Sequence, residues 1–124
     1  MSSQVEESSP KNDGLKPTPN KEGTEDITPI AWDTTAAGFK VGDGQIDRFR
    51  CSKEGTAQLI YGSDVYTDYS SICTAAVHAG LFGLADGGIV TVEYGPGRSM
   101  YGNTVRHGIK SNPSGEYPRS FVVR

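Results

Sequence analysis

Long apolar runs are missing from this chain. No window approaches the roughly 20 continuous apolar residues of a membrane span, and the first thirty residues hold no apolar stretch of the kind that forms a secretory leader. Neither a membrane span nor an export signal is therefore expected. Positive charge is not in excess: 12 Lys+Arg stand against 15 Asp+Glu, a net −3. That balance argues against a nucleic-acid binder held by phosphate neutralisation. Cysteine is scarce, with two in 124 residues and no Cys-x-x-Cys, which excludes a dense disulfide scaffold and a thioredoxin-type redox motif. In contrast, 16 Gly and 7 Pro point to many turns and few long helices.

The charge is unevenly placed. Residues 1–28 carry six acids and three Lys, so this segment holds the whole formal charge, and the nine acids and nine Lys+Arg that follow cancel. Only Met1, Val5, Leu15 and Ile27 are apolar there, and Pro10, Pro17 and Pro19 interrupt any helix. So little apolar surface does not offset the entropy of ordering a chain. A disordered tail is expected at 1–28 and one domain at 29–124, starting at Pro29-Ile30-Ala31-Trp32.

The domain reads mostly as strands. Arg48 and Arg50 alternate with Phe49 and Cys51, Gln58–Tyr61 is a short apolar run, and Ser120–Arg124 reads as a closing strand. Ile89–Tyr94 is the clearest strand, with Val90, Val92 and Tyr94 on one face, between Gly87-Gly88 and a turn expected at Gly95-Pro96-Gly97. One helix interrupts the pattern. Ser70 or Ser71 is a suitable N-cap, Asp68 adds negative charge near its start, and Gly80 suits a left-handed stop. Between them, small or apolar side chains occur on nearly every side, including Ala75, Ala76 and Ala79, so the helix is expected to be buried among strands.

The chemistry-bearing residues are few. Cys51 and Cys73 are compatible with one bridge or with two separate thiols; if reduced, Cys73 near a helix N-terminus could be reactive. His78, with Ser70, Ser71, Asp64 and Asp68, supplies the ingredients of a hydrolase triad, yet no Gly-x-Ser-x-Gly elbow is present and both Ser suit capping. A buried, hydrogen-bonded His78 is the plainer reading, and His107 reads as a loop residue. Asp64, Tyr66, Asp68 and Tyr69 make an acidic aromatic turn, but Asp43–Asp47 lacks a calcium-loop pattern and Gly95–Arg98 is no phosphate loop. No metal or other cofactor is expected, and the chain reads as a non-enzyme.

The run Tyr61-Gly62-Ser63-Asp64-Val65-Tyr66-Thr67-Asp68-Tyr69-Ser70-Ser71-Ile72-Cys73-Thr74-Ala75-Ala76-Val77-His78-Ala79-Gly80 closely resembles the signature of the LCCL domain family. Trp32-Asp33-Thr34, Phe49-Arg50-Cys51, Gly87–Val92, Pro96-Gly97 and Arg119-Ser120-Phe121 match as well, so the resemblance spans about residues 30–124. It implies an α+β fold of β-sheets wrapped around one short central buried helix. It implies structural roles for Tyr61, Gly62, Ser70, Ser71, Cys73, Ala75, Ala76, His78 and Gly80, and a Cys51–Cys73 disulfide. Animal members typically carry four Cys in two bridges, whereas this chain has two, like shorter microbial-type members, which leaves open how the first strand is anchored.

A second charge asymmetry bears on partners. Residues 95–124 carry Arg98, Arg106, Lys110, Arg119 and Arg124 against Glu116 alone, while residues 61–94 contain no Lys or Arg. Loops bringing Arg98, Arg106 and Lys110 together, with Tyr101 beside them, would form an anion-binding surface. Some LCCL-containing proteins are implicated in recognising lipopolysaccharide and in extracellular defence or matrix roles. The resemblance thus implies a non-catalytic, extracellular or cell-surface module for an anionic glycan or lipopolysaccharide; the alternatives are a spacer or protein-interaction domain without a small ligand, and a hydrolase using His78. Absence of a visible leader keeps a cytoplasmic setting as the competing expectation. The implied bridge is checked by intact mass after alkylation without reductant: an oxidised chain gains nothing, and two free thiols gain two adducts.

Overall fold

The structure is a computed structural model, and it describes residues 26–124. The expected tail falls outside the described residues up to position 25. Strand β1, Ile27–Ile30, begins two residues ahead of the expected domain start. It is followed by β2 (Ile46–Cys51), β3 (Gly62–Ser63), β4 (Val65–Thr67), helix α1 (Ile72–His78), β5 (Gly88–Arg98), β6 (Val105–Arg106), β7 (Ile109–Lys110) and β8 (Tyr117–Val123).

Six strands form one sheet in the order β1-β2-β5-β8-β4-β3, and β6 and β7 make a separate hairpin. β1 runs parallel to β2, while β2–β5, β5–β8 and β4–β8 are antiparallel. Alternation sets the faces. Phe49 and Cys51 of β2, Val90, Val92 and Tyr94 of β5, and Phe121 of β8 point inward and are buried; Arg48, Arg50 and Ile89 point outward. Helix α1 lies on the inner face, against β5 and β7. All seven of its residues are buried, and the core closes over them with Tyr66 and Phe121 (ring centroids 5.7 Å apart) and Phe39 and Phe49 (5.2 Å). The chain thus has the expected α+β fold, a sheet and hairpin around one short buried helix.

Cys51 and Cys73 are joined, their Cα atoms 5.8 Å apart, which ties the end of β2 to the first turn of α1. A bridge closing 22 residues is worth about 3 kcal/mol in the loop-entropy model. The first strand is held without a second bridge. Trp32, just beyond it, donates its indole N–H to the Ser52 carbonyl (3.0 Å), and its own carbonyl accepts from the Ser71 hydroxyl (2.6 Å). Its ring packs edge-on to Phe82, and only a glycine at position 55 leaves room for it.

Two expected features differ. Gly95-Pro96-Gly97 is not a turn: β5 runs through it, with Gly95 opposite Ser120 and Pro96 opposite Arg119. Proline fits because β2 pairs with β5 only as far as Ile46–Glu93, so no neighbour on that side needs an N–H from Pro96. At Gly97 a β-carbon would collide with the Tyr117 carbonyl; this glycine marks close approach of two strands. Gln58–Tyr61 is not a strand of the sheet either. It is an extended segment whose N–H groups go to side chains, Gln58 N–H to Thr74 Oγ1 (3.0 Å) and Tyr61 N–H to Ser70 Oγ (2.8 Å), while its carbonyls take isolated backbone donors, Leu59 from Ser71 N–H (3.0 Å) and Ile60 from Asn112 N–H (2.9 Å).

Packing on every side of α1 leaves no room for growth. Ala76→Leu is expected to cost about 1–3 kcal/mol by overpacking, read as a lowered urea midpoint with an unchanged m-value.

Candidate functional site

The signature residues come together around α1, each with a defined contact. Ser71 is the N-cap, its Oγ accepting from Thr74 N–H at 3.1 Å, a bond worth about 1 kcal/mol. Ser70 is buried beside it and does different work, its hydroxyl accepting from Tyr61 N–H and donating to the Tyr61 carbonyl (3.2 Å). Ala75 and Ala76 sit where no larger side chain fits. The helix ends in a Schellman arrangement: Gly80 N–H donates to the Val77 carbonyl and Leu81 N–H to the Ala76 carbonyl, both at 2.9 Å. Gly80 is left-handed (φ 90°), and the His107 imidazole lies close over it. Gly62 has φ 106°, and a β-carbon there would meet the Val65 carbonyl.

Asp68 lies outside this helix start. It precedes the N-cap by three residues, the first turn of α1 holds no acid, and burial raises the Asp68 carboxyl above its ordinary range despite nearby Arg119. Its main chain is fixed by Ala37 N–H donating to the Asp68 carbonyl (2.8 Å) and by Asp68 N–H donating to the Arg119 carbonyl (3.2 Å).

His78 is wholly buried. Its Nδ1 lies 2.8 Å from the Tyr66 hydroxyl, and its Nε2 lies 3.1 Å from Thr104 Oγ1 and 3.3 Å from the Thr104 carbonyl. A carbonyl only accepts, so the neutral ring that satisfies all three carries its proton on Nε2 and accepts the Tyr66 proton at Nδ1. The network continues from Thr104 Oγ1 to Ser63 Oγ (2.7 Å) and on to Ser111 Oγ (3.3 Å). Burial lowers the His78 pKa, and the same cause pushes the Tyr66 hydroxyl up to about 12. Thr104 has no sequence mark that singles it out, and only the fold brings it to His78. His107 is exposed, as expected of a loop residue, but at φ 52° its Nδ1–H donates to the His78 carbonyl (3.0 Å), capping the helix end.

The candidate ligand residues are dispersed in role. Arg98 ends β5 and is exposed; its backbone N–H donates to the Tyr101 hydroxyl (2.9 Å). Tyr101 is a buried side chain, 4% exposed, with its hydroxyl used by that bond. Arg106, in β6, makes a forked ion pair with Asp64 (2.6 and 3.4 Å). That contact holds the Asp64 carboxyl below its ordinary range, on a residue whose backbone is left-handed (φ 70°). Lys110, in β7, is exposed on the same hairpin, opposite Val105 and so on the other face from Arg106, which stands opposite the buried Ile109. Arg119 donates to the Val41 carbonyl (2.5 Å), and Arg124 pairs with Glu93 (2.8 Å). Among the described residues, no carboxylate lies within ion-pair distance of Arg98 or Lys110, and no three His, Cys, Asp or Glu gather as a metal site requires. No helix among them is long and apolar enough to cross a membrane.

A disulfide-tied sheet around a buried helix, sealed by a Tyr–His–Thr network, defines a small β-rich module whose signature residues hold it together. The chain belongs to the LCCL family: the LCCL domain model matches residues 30–121. Human cochlin is 34% identical over 108 residues, covering 85% of this chain and 19% of cochlin. Clotting factor C of Tachypleus tridentatus is 33% identical over 91 residues, covering 72% of this chain and 9% of that protein. Bovine vitrin is 41% identical over 64 residues, covering 52% of this chain and 10% of vitrin. The chain spans a fifth or less of the length of these relatives.

The buried pair gives the fold a pH profile with known signs. Because the folded pKa of His78 is depressed, the unfolded chain takes up a proton first as pH falls below the ordinary 6.5, so stability present above that value is lost on acidification. Because the folded pKa of Tyr66 is raised, stability is also lost above about pH 10, where the unfolded tyrosine ionises first. Urea midpoints across pH 4.5–7.5 (a span around the ordinary histidine value) should fall on acidification, and His78→Gln should flatten that slope.

Proposed function

We propose that this chain is a non-catalytic binding module of an extracellular protein, taking an anionic glycan or a lipopolysaccharide-type ligand at the exposed cations Arg98, at the end of β5, and Lys110, on the β6–β7 hairpin. The observation that carries the reading is the division between buried and exposed chemistry. His78 is sealed in the core with both ring nitrogens engaged, so it offers no base to a substrate arriving from solvent. Arg98 and Lys110 stand exposed. Family membership supports the module reading, since the LCCL resemblance implies defence or matrix settings, and the Cys51–Cys73 bridge fits an oxidising compartment.

Arg98 and Lys110 are the ligand contacts in this reading, making charge-assisted hydrogen bonds to phosphate or carboxylate. Arg106 is a third cation held in reserve by Asp64. Tyr101 acts behind the surface, fixing the backbone at Arg98.

Titration of the chain with lipopolysaccharide, followed by amide NMR at two salt concentrations, tests the site. Shifts around Arg98, Arg106 and Lys110 that shrink at high salt are expected, and unchanged amides there overturn the reading. Asp64→Asn keeps a residue that tolerates the left-handed backbone while removing the partner of Arg106, and is expected to tighten binding severalfold.

A further inference from the structure

The outer face of the large sheet carries a second concentration of positive charge, on residues outside the loop surface. Register places Ile27, Arg48, Thr91 and Arg124 in one row across β1, β2, β5 and the end of β8. The next row along sets Pro29 beside Arg50 and Ile89. Arg48 and Arg50 are two residues apart on one strand and so about 7 Å apart along it, and Arg48 and Arg124 are two strand spacings apart, about 9.5 Å. The burial pattern along β2 confirms the outward direction, since Phe49 and Cys51 are buried while Ile46, Arg48 and Arg50 are exposed.

Like charges this close on a sheet repel. Three other cations of the fold meet a carboxylate: Arg106 meets Asp64, Arg119 meets Asp43 and Arg124 meets Glu93. Among the described residues, no carboxylate lies within ion-pair distance of Arg48 or Arg50. Their directly opposite cross-strand neighbours are Thr91, Ile89, Ile27 and Pro29, which carry no charge; the one carboxylate in the adjoining row, Glu93 opposite Ile46, is engaged by Arg124.

We infer that this face is a binding surface for a linear, sulfated or carboxylated polysaccharide, with Arg48 and Arg50 as its principal contacts and Arg124 at its margin. The inference deepens the anionic-glycan reading above and rests on it. Guanidinium groups fork onto planar carboxylates and sulfates, and the exposed Ile46 and Ile89 supply aliphatic surface for the C–H faces of sugar rings. Among the described residues, this face holds no aromatic side chain on which nucleic-acid bases would stack. A sheet face with charge spread over two rows suits a long chain lying across it better than a compact headgroup entering a pocket.

The test uses the full chain, a size-defined heparin oligosaccharide and lipopolysaccharide, with three proteins: wild type, Arg48→Gln/Arg50→Gln and Arg98→Gln/Lys110→Gln. All substitutions are at exposed positions, and matching thermal midpoints establish that each variant is folded. Wild type is expected to bind heparin with amide shifts over Ile46–Cys51 and Ile89–Glu93. The Arg48/Arg50 variant is expected to bind heparin at least tenfold more weakly and to lower the log–log salt slope by about 1.5. The Arg98/Lys110 variant should retain that binding. If the Arg48/Arg50 variant binds heparin like wild type, the sheet-face inference is overturned. If wild type binds lipopolysaccharide through Arg98 and Lys110 but not heparin, the sheet-face inference alone is again overturned. If wild type binds neither, both readings fall.

Discussion

Everything in this domain depends on burying a helix too short to exist alone. Seven residues make barely two turns, and a helix of that length has no independent stability in water. It must be bought by tertiary contacts on all sides, and every polar group at its ends must find a partner in the core. The Ser71 cap, the Schellman ending at Gly80, the Cys51–Cys73 bridge and the Tyr66–His78–Thr104 bonds all act within those two turns. They explain why so dense a signature occupies so few residues. The signature describes how a helix survives in the middle of a sheet.

That economy determines what was legible in the sequence. The alternation of Arg48, Phe49, Arg50 and Cys51 and of Val90, Val92 and Tyr94 gave the strands and their faces, because a half-buried sheet imposes a period of two. The small residues from Ala75 to Ala79 revealed a buried helix. Gly95-Pro96-Gly97 misled because its composition suits a turn, while the real requirement was close backbone approach at Gly97 and a strand side free of a neighbour at Pro96. Gln58–Tyr61 misled in the opposite way: its apolar run is extended, but side chains of the helix start and isolated backbone donors, rather than a neighbouring strand of the sheet, satisfy its backbone.

The candidate site was less legible because charge in a sequence has no partner until the chain folds. Five cations near the C-terminus look equivalent in one dimension. In three, Asp64 arrives beside Arg106 from 42 positions away, Val41 and Asp43 meet Arg119, and Glu93 meets Arg124. Tyr101 turns inward although the sequence around it is polar. Long-range pairing of this kind separates cations that finish the fold from those left facing solvent, and neither composition nor spacing records it.

The direction of the outer strands has a mechanical consequence. β1 runs parallel to β2, β2 and β5 are antiparallel, and β5 and β8 are antiparallel, so β1 and β8 point the same way with two strands between them. The backbone therefore enters at Ile27 and departs beyond Val123 travelling along one axis. Tension applied at these two points loads the interstrand ladders in shear, where many hydrogen bonds share the force at once, rather than peeling them open one after another. The disulfide locks β2 to the helix behind that ladder. Force along that axis would run with the strands, and the outer sheet face lies sideways to it.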